Sequence, residues 1–410
     1  MKFEAPRGTQ DVLPAQQPVW EKVIRTAEEL CAAYGYRRIT TPVFEDTELF
    51  SRTSGQGSDV VQKEMYTFTD RGDRSLTLRP EATASVARAY VQHGLYREPQ
   101  PVKTFFIGSL YRYAAPQRGK FREFWQLNVE AMGSDDPAVD AELIQLFSEL
   151  LRSLGIEGSW LELNSIGDRN CRPRYLEQLN AWLEEHEHGL DEDTRTKGQT
   201  SPLRVFDNMT QKPEPVQRVL EGAPKIGESL CNGCQEHFDA VRRYLDAYGV
   251  EYRLTPTLVR GLDYYTRTTF EFMAEALGAA LSLAGGGRYD YLIEEIGGPA
   301  TPAVGIASGI ERLVLSLPGG SDTAPAIDVF FAVEEDDVRP EVLAAMGELR
   351  RAGHSADTDY AGRSMKGQLT QAGRLGAQAT VIAKRDGATV RRGGEQDEEF
   401  GSLDEAVKSL

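Results

Sequence analysis

The sequence is poor in cysteine, with only four such residues among 410. This number excludes a disulfide framework, because disulfide-stabilised proteins carry cysteine at a much higher density. No apolar run approaches the roughly 18 residues that a membrane-spanning helix needs. The opening stretch MKFEAPRGTQD has charged and turn-forming residues where a signal peptide requires an apolar segment, so we expect a cytoplasmic protein.

Positive charge is also scarce, since 46 lysine and arginine residues face 63 aspartate and glutamate residues, giving a net charge of −17. Such a balance argues against indiscriminate nucleic-acid binding. A specific RNA partner stays open, because phosphate contacts depend on local clusters of cations. One cluster is present within eleven residues that contain no acid: Arg112, Arg118, Lys120 and Arg122.

Two of the cysteines form a C-x-x-C pair, Cys231 and Cys234, and His237 follows three residues later. This spacing raises the question of a zinc site, but the sequence shows no second pair of ligands at zinc spacing. Apolar residues repeat at helical intervals directly after the pair. We therefore favour the start of a helix over a zinc site and predict no bound metal.

The first 165 residues combine two amphipathic helices with several strands. Apolar periodicity predicts helices from Val19 to Tyr34 and from Pro137 to Leu154, each followed by a glycine. Strands are predicted at 39–44, 66–68, 76–78, 105–111 and 124–129. The first is expected at a sheet edge, because Pro42 cannot donate a backbone hydrogen bond. Consecutive strands without regular crossover helices predict an antiparallel sheet.

A different pattern begins at residue 166. Residues 166–251 are polar and helical with a loose middle at 191–201, and we predict that they form an insertion between strands. Strand-like sequence resumes at Tyr252 and leads to a helix near 309–317. Turn-forming residues at 319–326 predict a linker. Strands and helices alternate after it, which predicts a small parallel α/β domain.

Three polar clusters are candidates for chemistry. The stretch from Arg260 to Arg267 places two arginines around a tyrosine pair. It suits a site for a phosphate beside a small polar ring, although paired tyrosines are also common in cores. Glu81 and Thr83 follow a strand and either cap the next helix or hold an ammonium group. Alternate residues of one strand form either a solvated face or a cleft floor: Gln126, Asn128 and Glu130.

A fourth cluster consists of glycines in strand-like surroundings. Gly285, Gly286 and Gly287 form one run, and the segment 305–309 with Arg312 behind it forms another. Glycine allows a ligand or another backbone to approach closely. Neither run has the spacing of a standard phosphate-binding loop. On its own, Arg312 is expected to pair with Glu311 or Asp290 rather than with phosphate.

Together these segments resemble the class II aminoacyl-tRNA synthetases, and the similarity to the histidyl-tRNA synthetases extends over essentially all 410 residues. Residues 39–44 resemble motif 1 of the class, which forms its dimers, residues 111–130 resemble motif 2, and residues 305–312 resemble motif 3. The run RGLDYYT at 260–266 is similar to the signature with which the family recognises histidine. The class motifs are degenerate, whereas this signature is highly specific.

The resemblance implies a role for each candidate residue. The amino group of histidine is assigned to Glu81, Thr83 and Gln126. Its imidazole nitrogens are assigned to Glu130 and Tyr264, with Tyr265 lining the pocket. Arg112 and Arg260 are implied to be catalytic at the α-phosphate and to contact histidine. ATP contacts are implied for Arg112, Arg122, Phe124 and Arg312, and a contact with the tRNA acceptor end for Gln117.

The implied activity is the ATP-dependent attachment of L-histidine to tRNA(His) through a histidyl-adenylate, with Mg²⁺ as the cofactor. The implied fold is α+β, with an antiparallel sheet flanked by helices in a core formed by 1–165 and 252–318. It adds a helical insertion at 166–251 and an α/β anticodon-binding domain at 327–410, in a homodimer. The alternative is the histidine-sensing regulatory subunit of ATP phosphoribosyltransferase, which typically lacks the C-terminal domain and has an altered signature.

Overall fold

A computed structural model describes residues 3–53, 60–114, 119–207, 209–276, 279–318 and 326–410. The chain divides into two compact units. The first comprises Met1–Asp11 and Trp20–Gly320, and the second comprises Val12–Val19 and Ser321–Leu410. Most of the linker predicted at 319–326 lies outside the described residues. Among the described helices, none combines the length and apolar composition that crossing a bilayer requires.

The bounds of the elements up to residue 318 are as follows. The strands are β1 (Arg37–Arg38), β2 (Phe44–Asp46), β3 (Tyr66–Thr69), β4 (Ser75–Leu78), β5 (Val102–Tyr111), β6 (Glu123–Met132), β7 (Ser159–Ser165), β8 (Arg253–Leu254), β9 (Thr266–Ala276), β10 (Ala279–Arg288) and β11 (Ala303–Gly309). The α-helices are α1 (Gln17–Ala33), α2 (Thr47–Thr53), α3 (Thr83–Gln92), α4 (Pro137–Leu154), α5 (Arg172–Glu185), α6 (Glu192–Thr200), α7 (Glu214–Gly222), α8 (Asn232–Tyr248), α9 (Leu292–Glu295) and α10 (Ile310–Ser316).

The main sheet of the first unit has eight strands in the order β1-β5-β6-β11-β10-β9-β7-β8. Every internal pair is antiparallel, and only the two edge pairs, β1 with β5 and β7 with β8, are parallel. A small antiparallel sheet in the order β2-β4-β3 contains the strands predicted at 66–68 and 76–78. The prediction of an antiparallel sheet is therefore confirmed.

The prediction of a strand at 39–44 is wrong in its position. β1 ends at Arg38 and β2 begins at Phe44, so the residues around Pro42 belong to neither strand. The missing N–H of proline explains the gap, because a ladder cannot continue through it. A single backbone hydrogen bond continues the strand pairing on either side of this gap. The Ile39 N–H donates to the Phe105 carbonyl at 2.8 Å, and the Arg79 N–H donates to the Val43 carbonyl at 3.0 Å.

Helix α4 shows how local sequence sets helix bounds. The Asp136 side chain accepts a hydrogen bond from the Ala138 N–H at 2.9 Å, and Pro137 occupies the first turn. Gly155 ends the helix in the left-handed region, with φ at 71°. The helix therefore runs from Pro137 to Leu154, as the sequence predicts.

Residues 166–251 contain the helices α5 to α8 and have a hydrophobic core of their own. Its buried side chains include Tyr175, Leu179, Val216 and Leu220. The expected loose middle at 191–201 is wrong, because this stretch contains α6. The Asp191 carboxylate caps that helix by accepting from the Thr194 N–H at 2.8 Å.

The second unit contains β12 (Val329–Val333), β13 (Ala356–Thr358), β14 (Ala379–Lys384), β15 (Gly387–Arg392) and β16 (Glu398–Phe400), with α11 (Arg339–Arg351), α12 (Met365–Arg374) and α13 (Leu403–Lys408). Its sheet order is β13-β12-β14-β15-β16. The strands β13, β12 and β14 are parallel, whereas β15 and β16 are antiparallel additions. The expectation of a parallel sheet is thus correct for its first three strands only, since the tight turn before Gly387 returns the chain as a hairpin.

A buried ion pair joins the main sheet to α4. The Nε of Arg288 lies 3.1 Å from Oδ2 of Asp140, and both side chains are fully buried. The remaining guanidinium donors bond the Ser134 carbonyl and the Asp290 carboxylate, and Nε2 of His237 lies 3.3 Å from Oδ1 of Asp140. Although burial raises the pKa of Asp140, the Arg288 charge and His237 hold it below its usual value.

We expect Asp140→Ala to lower the free energy of unfolding by about 3–5 kcal/mol, because the buried Arg288 guanidinium would keep only the Asp290 carboxylate as a counter-charge and its Nε would lose its acceptor. Urea unfolding followed by circular dichroism measures the change. Glu214→Ala is the control, since it removes an exposed partner of Arg218 and should cost less than about 1 kcal/mol. Equal effects of the two substitutions would contradict this account.

Candidate active site

Three neighbouring strands, β6, β11 and β10, form the floor of the main pocket. Their register places Gln126 beside Gly309, Asn128 beside Ala307, and Glu130 beside Gly305. Because side chains alternate between the two faces of a strand, these three residues of β6 project to one face. Polar and charged residues from distant parts of the chain line the pocket: Glu81, Thr83, Arg112, Lys120, Gln126, Asn128, Arg260, Tyr264, Tyr265, Tyr289, Glu311 and Arg312.

Glu130 is a buried carboxylate below this lining. Its Oε1 accepts from the Thr83 hydroxyl at 2.7 Å, and its Oε2 accepts from the Tyr289 hydroxyl at 2.6 Å. Gly305 makes room for it, because a Cβ at that position would lie 1.8 Å from Oε2. Burial raises the pKa of Glu130 to about 8, and the two hydroxyl donors only partly offset that effect.

Glu81 lies just before α3 and caps this helix, which is the first of the two roles predicted for it. Its carboxylate accepts from the Thr83 N–H at 2.7 Å and from the Ala84 N–H at 2.8 Å, which satisfies unpaired donors of the helix N-terminus. The same carboxylate lines the pocket. Burial raises the pKa of Glu81, while the two backbone donors lower it. Capping thus fixes the orientation of a carboxylate that a ligand can reach.

Three tyrosines form one wall. The ring of Tyr264 lies 4.7 Å from that of Tyr265 and 5.8 Å from that of Tyr289, measured between centroids. Burial raises the pKa of Tyr264 well above its usual value, so its hydroxyl stays protonated and can donate or accept. A protonated hydroxyl beside Glu81 and Glu130 gives this end of the pocket the donors and acceptors that a small polar ring requires.

Three arginines also line the pocket. Nη1 of Arg260 pairs with Oε1 of Glu271 at 2.8 Å, and Gly285 gives the guanidinium space, since a Cβ there would lie 2.0 Å from Nη2. Nη1 of Arg312 donates to the Ser282 carbonyl at 2.5 Å. Nε of Arg112 donates to the Pro80 carbonyl at 2.7 Å. These contacts fix three cations around one space, an arrangement that suits a polyanion.

Two polar atoms of the pocket residues are unpaired. Nε of Arg260 and Oδ1 of Asn128 are buried and have no hydrogen-bond partner among the described residues. An unpaired buried polar atom costs about 1–3 kcal/mol. The pocket therefore combines carboxylate and guanidinium groups with some unfilled hydrogen-bonding capacity.

Most of the residues predicted from the sequence come together here. Nine of them line the pocket: Glu81, Thr83, Arg112, Phe124, Gln126, Arg260, Tyr264, Tyr265 and Arg312. Glu130 lies directly beneath it. Arg122 is not among the lining residues, because its guanidinium lies 3.8 Å from the ring centroid of Tyr113 and its Nε donates to the Ala114 carbonyl. Gln117 lies outside the described residues, so its predicted contact with tRNA stays a prediction.

Two residues of the site were given no role from the sequence. Glu271 holds Arg260, and its carboxylate within the apolar run 268–273 was the signal that could have identified it. Tyr289 donates to Glu130 and follows the glycine run directly. The local ion pair expected for Arg312 is not what the structure shows, since its guanidinium donates to the Ser282 and Gly119 carbonyls instead.

Comparisons with known proteins identify the family and the fold. The family described as histidyl-tRNA synthetase matches residues 8–313. The histidine–tRNA ligase of Halothermothrix orenii is 46% identical over 385 residues, covering 93% of this chain and 91% of that protein. That of Desulforamulus reducens is 44% identical over 380 residues, covering 92% of this chain and 90% of that protein.

The chain belongs to the histidyl-tRNA synthetase family. The crystal structure of the apo histidyl-tRNA synthetase of S. aureus supports this, with a TM-score of 0.83, 35% identity, and coverage of 100% of this chain and 99% of that one. The fold expected from the sequence, an α+β class II synthetase, is thereby confirmed. A protein of Bacillus halodurans, described as an ATP phosphoribosyltransferase regulatory subunit/histidyl-tRNA synthetase, shares the fold at 23% identity, with a TM-score of 0.67 and coverage of 93% of this chain and 98% of that one.

The protonation of Glu130 predicts a pH-dependent stability. The folded protein keeps the proton up to about pH 8, whereas the unfolded chain loses it near the ordinary value of 4.5. Between these values the folded state binds more protons, so the contribution of Glu130 to stability falls as pH rises. Relative to Glu130→Gln, the parent should lose up to about 1.4 kcal/mol per pH unit in this window. Urea unfolding at a series of pH values measures the difference, and parallel curves for the two proteins would contradict the burial argument.

Proposed function

We infer that this protein attaches L-histidine to tRNA(His) in an ATP-dependent reaction that passes through histidyl-adenylate. The observation that carries the inference is that one pocket combines carboxylate and tyrosine groups with three arginines. We propose that it has two ends, a carboxylate end formed by Glu81 and Tyr264 with Glu130 beneath them, and a cationic end formed by Arg112, Arg260 and Arg312. Family membership supplies the reaction, and this division fits its two substrates, a small zwitterion with a polar ring and a nucleoside triphosphate.

We propose that the carboxylate end recognises histidine. Glu81, Thr83 and Gln126 would receive its ammonium group, since they combine a negative charge with hydrogen-bond acceptors. Glu130 and Tyr264 would address the two imidazole nitrogens, with Tyr265 beside them. Protonated Glu130 could donate to one ring nitrogen, whereas ionised Glu130 could accept from it. An amino acid without these nitrogens would leave buried polar groups unpaired, and sites of that kind can reject analogues by about 10⁴-fold or more.

We propose that the cationic end activates the carboxylate. An oxygen of the histidine carboxylate attacks the α-phosphorus of ATP, the bond to the bridging oxygen breaks, and pyrophosphate leaves. Arg112 and Arg260 would lie on either side of the α-phosphate and stabilise the charge that develops there, without a protein nucleophile. Arg312 would hold the γ-phosphate, and Phe124 would stack on adenine. A hydroxyl of the terminal adenosine of tRNA then attacks the acyl carbon, and AMP leaves.

The residues present also fit Mg²⁺ as a cofactor. This ion usually takes one or two carboxylates and completes its shell with substrate phosphates and water. Glu311 lines the pocket and Glu271 lies against Arg260, so these two would hold it. When bound, Mg²⁺ neutralises part of the negative charge on the phosphates. Burial raises the pKa of Glu311 to about 7, and a nearby cation would favour its ionised form.

We propose that the two units divide the recognition of tRNA(His). The core at 1–165 and 252–318, which the insertion at 166–251 divides in sequence, would bind the acceptor end. Residues 327–410 would bind the anticodon. Support comes from residues 363–368, which resemble most of the family's anticodon-side pattern, with a glycine in place of a customary lysine. Within this segment Gln368 is structural. Its amide donates to the Val333 carbonyl at 3.0 Å and accepts from the Val333 N–H at 2.8 Å.

The wild-type protein should exchange radiolabelled pyrophosphate into ATP only when L-histidine is present, since adenylate formation is reversible. It should then charge tRNA(His) but not another tRNA. Arg260→His should keep the fold and histidine binding while exchange falls by about 10²–10³, the usual cost of removing one group that stabilises the developing charge. Arg37→Ala, which changes an exposed arginine, is the matched control. Histidine binding without exchange in the wild type would instead indicate a histidine-sensing regulator.

We also propose that the protein is a homodimer whose interface includes the β2-β4-β3 sheet, because this sheet exposes large apolar side chains. Val43, Phe44 and Phe68 are each more than 40% exposed, and the rings of the two phenylalanines lie 6.2 Å apart. Such a patch indicates an interaction surface. Light scattering should give twice the mass of one chain, and Phe44→Ser with Phe68→Ser should weaken the dimer at least tenfold. Tyr248→Ser, at an exposed aromatic of α8, should leave the mass unchanged.

A further inference from the structure

A cluster of three cysteines and one aspartate lies at the base of the insertion. The sequence suggested no partner for the Cys231 and Cys234 pair, but the fold brings Asp168 and Cys171 beside it. The four ligand atoms all lie within 4.8 Å of one another. Asp168 and Cys171 are separated by two residues, as are Cys231 and Cys234, so two ligand pairs of equal spacing meet. His237 is not part of the cluster, because its ring lies against Asp140.

The separations match tetrahedral coordination. Cys171 Sγ lies 3.9 Å from Cys234 Sγ and 3.6 Å from Oδ1 of Asp168, and Cys231 Sγ lies 3.9 Å from the same oxygen. Sulfur ligands about 2.3 Å and oxygen ligands about 2.0–2.2 Å from a tetrahedral zinc ion lie about 3.5–3.8 Å apart. A small central ion would therefore reach all four atoms after minor adjustment.

The surroundings of the cluster are those of a metal-binding loop. Gly167 has φ at 62°, and a Cβ at this position would lie 2.5 Å from Cys171 Sγ. The Asp168 N–H donates to the same sulfur at 3.3 Å, which favours a thiolate. The Asn170 backbone and side-chain N–H groups donate to the Asp168 carboxylate at 2.9 and 3.1 Å and so orient it.

Positive charge lies next to the cluster. Nη2 of Arg267 lies 3.8 Å from Oδ2 of Asp168, on the side away from the oxygen that approaches the sulfurs. Three thiolates and a carboxylate around a divalent cation leave a net charge of −2, which Arg267 would partly offset. Two of the four side chains, Cys171 and Asp168, are almost completely buried, and Cys234 is fully buried. A buried site of this composition suits a borderline-soft cation in a structural role.

We propose that Asp168, Cys171, Cys231 and Cys234 form a structural Zn²⁺ site. Binding converts three thiols to thiolates and releases their protons. Cys171 immediately precedes α5 and Cys231 immediately precedes α8, so the ion joins the beginnings of two insertion helices. The site is independent of the proposed aminoacylation, and metal content tests it without an activity assay.

The site also adjoins the backbone of the tyrosine wall. The Ile166 N–H donates to the Arg267 carbonyl at 2.7 Å, and the Arg267 N–H donates to the Gly167 carbonyl at 2.7 Å. Arg172, next to Cys171, donates to the carbonyls of Ile166 and Tyr265. The loop that carries the proposed zinc ligands Asp168 and Cys171 is thus hydrogen-bonded directly to the segment that carries Tyr264 and Tyr265. It would hold that segment against the insertion.

A disulfide is the main alternative use of these sulfurs. It would involve two of the four ligands and would leave the buried Asp168 carboxylate and the third sulfur without a role. All the cysteines are free thiols in this structure. The converging aspartate therefore favours a metal over an oxidised pair.

The full-length protein should contain one zinc ion per chain when it is purified under reducing conditions from cells supplied with zinc. Elemental mass spectrometry measures the zinc content. Replacement by Co²⁺ should produce the intense visible absorption of tetrahedral cobalt and a thiolate charge-transfer band. Cys231→Ser, at the most accessible ligand, should bind the metal at least tenfold more weakly. Cys31→Ser is the control, since Cys31 is buried in α1 outside the cluster.

The substitution Asp168→Cys gives a test whose expected result, tighter zinc binding, cannot arise from a folding defect. A fourth thiolate should hold zinc at least tenfold more tightly against a chelator, because sulfur is the stronger zinc ligand here, whereas Asp168→Asn should hold it more weakly. A chelator should lower the melting temperature of the wild type but not of Cys231→Ser. Absence of zinc in a folded, reduced wild type that also takes up no cobalt would overturn the proposal. So would a native mass showing an oxidised cysteine pair in place of the metal.

Discussion

The register of β6 against β11 is the constraint on which the pocket depends. It places Gly305 opposite Glu130, and only a residue without a side chain can stand there, because the carboxylate occupies the space of a Cβ. The pairing of β10 with β9 places Gly285 beside Glu271. Because glycine has no side chain, the Arg260 guanidinium fits against the backbone at this position. A slip of one residue would turn Gln126, Asn128 and Glu130 to the opposite face. Substrate-binding geometry is therefore a property of strand pairing before it is a property of individual side chains.

Charge in the pocket is arranged by burial and by pairing. The Glu130 carboxyl group accepts hydrogen bonds from the Thr83 and Tyr289 hydroxyls, and burial favours its protonated form. Arg260 is paired with Glu271, which raises the pKa of the guanidinium although burial lowers it. Burial lowers the pKa of Arg312, and the neighbouring Arg112 and Arg260 act in the same direction, while Glu271 opposes them. Clustered cations of this kind repel one another, so a polyanion that entered the pocket would complete the electrostatic balance.

Local sequence predicted those features that depend on local physics. The cap at Asp136 and the glycine at 155 define α4, and alternation along β6 placed three polar residues on one face. Features that depend on distant neighbours were missed. Asp168 and Cys171 do not resemble a ligand pair until α8 brings Cys231 and Cys234 beside them. The residues 192–200 looked like a loop because threonine, glycine and charge dominate them, but the Asp191 cap and packing in the insertion support a helix. Resemblance to a family supplied what periodicity could not, namely which polar residues would meet in one pocket.

The order of strands in the main sheet has a consequence for biosynthesis. β5 and β6 pair with each other early, but the other edge of β6 receives its partner only when β11, near the end of the first unit, has been made. Until then a growing chain exposes unpaired backbone groups along β6, which is a template for association with other chains. Contacts between residues so far apart in sequence also form slowly, because a long loop must close first. The insertion, by contrast, builds its own core from nearby helices and can fold before β11 has been synthesised. The centre of the catalytic sheet is therefore the part of this unit most dependent on protection during synthesis.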